Sequence, residues 1–203
     1  MGRATAALDT ARETARERIL RVAARLYARR GYEGISMRQI AEAAGVTKPL
    51  VYYHFGSKEQ LFSSLMREAL DHWHAITRQA LELDASPTER VRFLLRAQFA
   101  RAREAPEIVA FAHDVMNMPG MLPLGFDYKS EGQDLCSGPE RILEEGQRRG
   151  EFRAVDPHTV VAIPIAVMGK LAAAVLAGDL ETIPEGVEDT LFDLLLHGLE
   201  VKR

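Results

Sequence analysis

Thr47, Lys48, Leu50, Tyr52, Tyr53 and His54 crowd onto two turns of chain, a few residues after Ser36, Arg38 and Gln39. These side chains bind surfaces rather than break bonds. Tyrosine hydroxyls and a lysine ammonium donate to phosphate oxygens, and the rings pack on sugars and thymine methyls. Arg38, Gln39 and Lys48 are the candidates for hydrogen bonds to base edges. Groups that would suggest catalysis are scattered. There is no G-x-S-x-G elbow, phosphate loop or Cys/His metal cluster. His72 and His74 are two apart and do not share a helix face, and neighbours such as His113 and Asp114 point apart on a helix. No catalytic residue, metal or cofactor is therefore expected.

Two short helices position the contact residues. Ser36 and Gln39 form a Ser-x-x-Gln capping box for a helix over about 37–44, with Ile40, Ala41 and Ala44 facing inward. Gly45 follows where a left-handed residue is needed. Thr47 is placed to cap a second helix over about 48–54, with Pro49 in its first turn and Gly56 as its stop. Val46, Val51 and Phe55 can pack against Ile40 and the preceding helix. Such a pair is a helix-turn-helix, whose second member enters the major groove of DNA.

The charge distribution agrees. Residues 1–60 hold eleven basic and six acidic side chains, an excess of +5, so the remainder carries −8 of the overall −3. A basic head on an acidic body suggests that the head alone meets a polyanion. Hydrophobic residues make up 47%, too many for a disordered chain. Cys136 is the single cysteine, so no disulfide joins two parts of the chain, as suits a reducing cytosol. Met-Gly-Arg-Ala-Thr lacks the apolar core of a signal peptide, and a cytoplasmic location is expected. The longest apolar stretch, 160–177, contains Pro164, Gly169 and Lys170. A central lysine costs about 2.5–3.5 kcal/mol in a bilayer, so a buried or interface helix is expected there and no membrane partner.

The remaining chain reads as helix throughout, giving an all-α fold of about nine helices. The first spans about 14–30, capped by Thr14 with Glu17 and ended by Gly31; Ile19, Val22, Ala23, Leu26 and Tyr27 form its buried face. Arg21, Arg25 and Arg29 stack along another face, open to phosphate or to solvent. A fourth helix runs from Ser57 to about 80, a fifth over about 86–104 and a sixth over about 106–117. Residues 118–130 hold Pro119, Gly120, Pro123 and Gly125 and read as a loop. Helices over about 133–149, 157–177 and 184–201 complete the chain.

Residues 38–48, Arg-Gln-Ile-Ala-Glu-Ala-Ala-Gly-Val-Thr-Lys, and 50–61, Leu-Val-Tyr-Tyr-His-Phe-Gly-Ser-Lys-Glu-Gln-Leu, resemble the signature of the tetracycline-repressor (TetR) family. The resemblance covers roughly residues 14–65 and includes Ala-Arg-Leu-Tyr-Ala-Arg-Arg-Gly-Tyr of the first helix. It implies a three-helix DNA-binding domain over 1–57, with the fourth helix contributing to about 65, and a helical regulatory domain over 58–203. The position of Thr47 contacts the DNA backbone in the family. Lys48, Pro49 and Leu50 occupy the groove-facing helix start, Tyr52, Tyr53 and His54 match contact positions, and Lys58 matches a phosphate-pairing lysine. Relatives often carry threonine at position 50. Leu50 cannot hydrogen-bond a base, so its readout would be apolar, for instance to a thymine methyl.

The resemblance further implies a homodimer on double-stranded DNA, most often a repressor released from a near-palindromic operator by a small-molecule inducer. An activator or ligand-independent regulator of the same fold is the alternative, and operator position relative to the transcription start separates the two. Dimerisation is expected through the last two helices: Val187, Leu191, Leu194, Leu195 and Leu199 form one stripe of the final helix, Phe192 and Leu196 another. A two-fold axis would set the recognition helices about 34–36 Å apart. Candidates for the inducer pocket are Trp73, Phe111, His113, Met116 and Met118, whose soft and aromatic side chains suit a largely apolar ligand.

Overall fold

The computed structural model describes residues 13–117 and 135–199. Among the described residues it contains nine helices and no strand, in the order α1 (Ala15–Arg30), α2 (Met37–Ala44), α3 (Lys48–Phe55), α4 (Lys58–Glu82), α5 (Pro87–Glu104), α6 (Pro106–Asn117), α7 (Ser137–Arg148), α8 (Pro157–Ala177) and α9 (Val187–Leu199). The predicted loop at 118–130, with the candidate Met118, lies outside the described residues.

Local signals set most of the boundaries. Reciprocal capping boxes open α1, α2 and α5: Thr14 with Glu17, Ser36 with Gln39, and Ser86 with Glu89. Gly45 ends α2 in the left-handed region, at φ 64° and ψ 34°, and lets the chain turn sharply into α3. Two expectations change. Thr47 occupies the cap position of α3, but its side chain makes no capping hydrogen bond. The last helix begins at Val187, not Pro184, because Gly186 sits at φ 78° and cannot belong to the helical run.

The head core joins Ile19, Leu20, Ala23 and Tyr27 of α1 to Ile40 and Ala44 of α2, Val51 and Phe55 of α3, and Leu61, Phe62 and Leu65 of α4. It does not close there. Ile108, Phe111 and Val115 of α6 are buried in the same cluster. Tyr27, Tyr32, Phe62 and Phe111 form a connected ring cluster, with Phe62 5.3 Å from Tyr32, 5.6 Å from Tyr27 and 5.2 Å from Phe111. All three of these contacts are edge-on, the arrangement that the ring quadrupoles favour.

A second core gathers Leu95, Phe99 and Ala102 of α5, Ala110 of α6, Met168 and Ala172 of α8, and Phe192 of α9. Helices α6 and α8 approach closely at Gly169, where an added Cβ would come within 2.2 Å of the His113 ring. Pro164 within α8 removes the hydrogen bond that its N–H would have donated one turn back. Across the body, Arg103 of α5 fixes the approach to α9. It donates to the carbonyls of Ile183, at 3.2 Å, and Pro184, at 2.9 Å, and forks onto the Glu188 carboxylate.

Helix α8 has a mean hydropathy of 2.2 over its most apolar window, but only 22% of that window is buried within one chain. By length and composition it could cross a membrane; here it packs on α6 and α7 and leaves an apolar face open. Ile163 of α8 is 43% exposed and Leu194 of α9 is 68% exposed.

Arg103 and Glu188 retain only 15% and 11% of their side-chain exposure. Removing the guanidinium strands a shielded carboxylate and two carbonyls. Arg103→Ala is expected to cost about 3 kcal/mol in chemical denaturation at neutral pH. A loss indistinguishable from zero would contradict the clamp.

Candidate nucleic-acid interface

Helix α3 is held to the head by Val51 and Phe55, at 0% and 5% exposure, and everything else on it faces outward or sideways. Thr47, Lys48, Pro49, Tyr52 and Tyr53 are exposed, with Tyr53 at 83%; Leu50 and His54 are half-buried. The His54 ring stands edge-on to Tyr53 at 5.3 Å and tilts against Phe55 at 6.1 Å, which orients it from both sides. The Lys48 ammonium lies 5.6 Å from the Tyr52 ring centre, and that of Lys58 lies 4.0 Å over the Tyr32 ring. Resting on aromatic faces restricts both lysines without pairing their charge.

Ser36, Gln39, Tyr52, Ser57 and Lys58 line one concavity at the junction of α2, α3 and α4. Glu33 and Glu59 also line it. Glu59 is engaged, accepting a 2.8 Å hydrogen bond from the Tyr32 hydroxyl. Backbone and hydroxyl hydrogen bonds hold its carboxyl below the usual range, so it is ionised at neutral pH.

The capping box limits what Gln39 can read. Its Oε1 accepts from the Ser36 amide at 2.9 Å and the Ser36 hydroxyl at 2.8 Å. Only its amino group remains outward, so it can donate to a base or phosphate but cannot make the donor–acceptor pair that recognises adenine. Arg38 is exposed, and its Nε pairs with Glu42 at 2.7 Å, one turn along α2. An exposed pair of this kind is weak and can be exchanged for a nucleic-acid acceptor.

The basic stripe of α1 has a different role. Arg21 reaches Glu13, at 2.9 Å, and Glu107 at the start of α6, at 3.4 Å. Arg29 donates to the Leu176 carbonyl near the end of α8 at 2.5 Å. Two of the three stacked arginines thus tie head to body. Their partners lie 86 and 147 residues away, beyond the reach of sequence pattern.

The model for bacterial regulatory proteins of the tetR family matches residues 19–65. The transcriptional repressor KstR2 of Mycobacterium tuberculosis is 37% identical over 139 residues, covering 68% of this chain and 69% of the relative. The KstR2 of Mycolicibacterium smegmatis is 31% identical over 139 residues, covering 68% and 67%. The chain belongs to the TetR family. Its fold agrees with the solved M. tuberculosis KstR2, at TM-score 0.74, 24% identity and coverage of 94% and 97%. PfmR of Thermus thermophilus gives 0.67, 26%, 91% and 99%. TetR-family regulators are soluble DNA-binding proteins that usually act as dimers, and the curated relatives are regulators of transcription.

The TetR-family body of this chain encloses a cavity of about 810 Å³ between α4, α5, α6 and α8. Of the candidate pocket residues, Trp73, His113 and Met116 line it. Phe111 does not. It is 1% exposed within the ring cluster because α6 has two apolar faces: Phe111 and Val115 turn to the head core, Val109, Ala112, His113 and Met116 turn to the cavity, and Ile108 borders both. The Trp73 indole donates to the Leu135 carbonyl at 2.8 Å.

His113 Nδ1 and Asp114 Oδ1, expected to point apart, come to 3.5 Å. The fold also gathers ligand atoms of Cys136, Glu140 and His158 within 4.8 Å of one another, a group that the sequence reading passed over because His158 reaches the start of α7 from a different helix, α8. His158 there approaches Glu140 at 2.9 Å. Gln98 and Arg101, also on the cavity wall, were missed as well. Their signal is the i, i+3 spacing on α5, with a polar Gln98 inside the stripe Leu94, Leu95, Phe99, Ala102.

Glu107 couples this body to the head under strain. It is 3% exposed, and Arg21 is near enough to pair in charge, while Glu107 Oε1 has no hydrogen bond. Burial lifts its carboxyl above the usual range, and Arg21, Arg25 and Arg101 offset this only in part. The folded chain therefore holds this proton to higher pH than the unfolded chain. Its contribution is favourable at low pH and is lost as pH rises through the raised value. Glu107→Gln, which cannot ionise, is expected to raise the melting temperature at pH 7 by a few degrees, about 1 kcal/mol, with the gain vanishing below the ordinary carboxylate range. A lower melting temperature at pH 7 would show that the Arg21 attraction dominates.

Proposed function

We propose that this TetR-family chain is a cytoplasmic homodimeric repressor, released from a near-palindromic operator by a small, largely apolar ligand. Residues 1–57 form the DNA-reading unit and 58–203 the regulatory unit. No catalytic role is assigned. The observation that carries the reading is α3: a helix anchored by Val51 and Phe55 that offers Lys48, Tyr52, Tyr53 and His54 to a surface outside the chain.

In the complex, Lys48 and the α2 residues Arg38 and Gln39 supply donors to base edges, with Gln39 limited to its amino group. Pro49 and Leu50 meet the groove floor through apolar contact. Ser36, Thr47, Tyr52, Tyr53, His54 and Lys58 contact the backbone or sugars and fix register. The open apolar face of α8 and α9, with Ile163 and Leu194, supports dimerisation through these two helices. The cavity of about 810 Å³ supports ligand control, since small-molecule sites fall in this range. The M. tuberculosis relative is described as a ketosteroid transcriptional regulator, and a molecule of that apolar kind suits these walls.

Release follows if the ligand prefers a conformation whose recognition helices no longer match successive major-groove faces. Helix α6 is the element placed to transmit this, since it packs on α1 and α8 and lines the cavity.

A mobility shift and footprint on the DNA flanking this gene test the reading. A protected, near-palindromic site is expected, with affinity falling steeply with salt. Lys48→Ala and Lys58→Ala should each lower the slope of log K against log salt by about one, whereas Arg21→Met should leave it unchanged. Leu194→Lys should give monomers by sedimentation and lose the shift. Absence of any sequence-specific shift on these flanks would overturn the proposal.

A further inference from the structure

We infer that the cavity ligand is an apolar molecule carrying one anionic oxygen group, a carboxylate, which docks on Gln98, Arg101 and His72. This deepens the ligand-control reading above and rests on it.

Among the described residues the cavity wall includes no aspartate or glutamate. The one permanently charged residue among them is Arg101, whose guanidinium nitrogens lie 3.7 Å from Glu68 and 4.0 Å from Glu104. Those distances permit charge attraction but leave the N–H groups short of a hydrogen-bonded fork. Gln98, one turn earlier on the same face of α5, is 8% exposed, and its side-chain amino group has no hydrogen-bond partner. A buried donor without an acceptor is costly, and such a group in a binding cavity signals a missing partner. Across the cavity, on α4, the His72 Nε2 is also buried and unpartnered. Burial, and secondarily the Arg101 charge, hold the His72 imidazole below its usual range, so it faces the ligand uncharged.

Three groups able to donate thus lie on the α4 and α5 walls, apart from the polar His113, Asn117, Cys136 and His158 that line the cavity elsewhere. Two from α5 are fixed as donors; His72 becomes one in the tautomer protonated at Nε2. A carboxylate satisfies all three and pairs with Arg101. A cation would find no acceptor in Gln98 Nε2 and would face the Arg101 guanidinium, whose own partners Glu68 and Glu104 lie outside the cavity lining. The apolar remainder of the ligand would lie against Trp73, Ile165 and Met168, which also border a smaller apolar cavity beyond Gln98.

Trp73 is the only tryptophan in the chain and stands on the cavity wall, so its emission reports occupancy. Decanoate, 1-decanol and decylamine, titrated into the full-length protein below their aggregation limits, separate the outcomes. Decanoate is expected to bind about tenfold or more tightly than either analogue. Arg101→Met and Gln98→Leu, each checked for native melting, are expected to abolish that preference while leaving decanol affinity within about twofold. Equal affinity for decanoate and decanol, or a decanoate preference that survives both substitutions, would overturn the carboxylate assignment and leave ligand control standing. Failure of all three probes to change Trp73 emission would overturn the assignment together with the ligand-binding reading of the cavity.

Discussion

Phe62 of α4 lies edge-on to Phe111 of α6, and both meet Tyr27 of α1. The rest of the molecule depends on this contact, because through it the small DNA-reading head completes its core with a helix from the body. Each buried aromatic ring contributes about 1.5–3 kcal/mol from burial alone. The head is therefore not an independent bead on a linker. A shift of α6 must be felt by α1, and α1 in turn supports α2 and α3.

Helix α6 can carry that role because its faces are divided. One face closes the head core, another lines the cavity, and His113 meets Gly169 of α8 at a distance that admits no extra atom. Polar ties follow the same route. Arg21 joins α1 to Glu107, and Arg29 joins α1 to the end of α8. Charge that a sequence count assigns to DNA is thus partly spent inside the molecule. On the proposed reading, the DNA face relies on Lys48, Lys58 and Arg38, supported by aromatic rings and an exchangeable ion pair.

The helices were legible in the sequence because their ends are set locally. Ser36 with Gln39, Ser86 with Glu89, and Gly45 act within four residues, and the apolar spacing of α1 marks its buried face. The outward face of α3 was legible because Val51 and Phe55 alone fit the apolar spacing of the head core, which leaves Tyr52 and Tyr53 exposed. Other features depended on distant partners. Phe111 sits on a helix with two apolar faces, and nothing local says which one meets the head. The partners of Arg21 and Arg29, and the gathering of Cys136, Glu140 and His158, arise only when separate elements pack. The late start of α9 turned on the positive φ of Gly186, two residues past the expected start at Pro184.

Coupling of head and body through α6 is open to direct measurement by amide hydrogen exchange with and without operator DNA. Residues 106–117 sit in the body, packed on α1 and lining the cavity. If the shared core transmits the state of the head, DNA binding will slow exchange in α6 as well as in α2 and α3. Protection confined to α2 and α3, with α6 unchanged, would contradict the account.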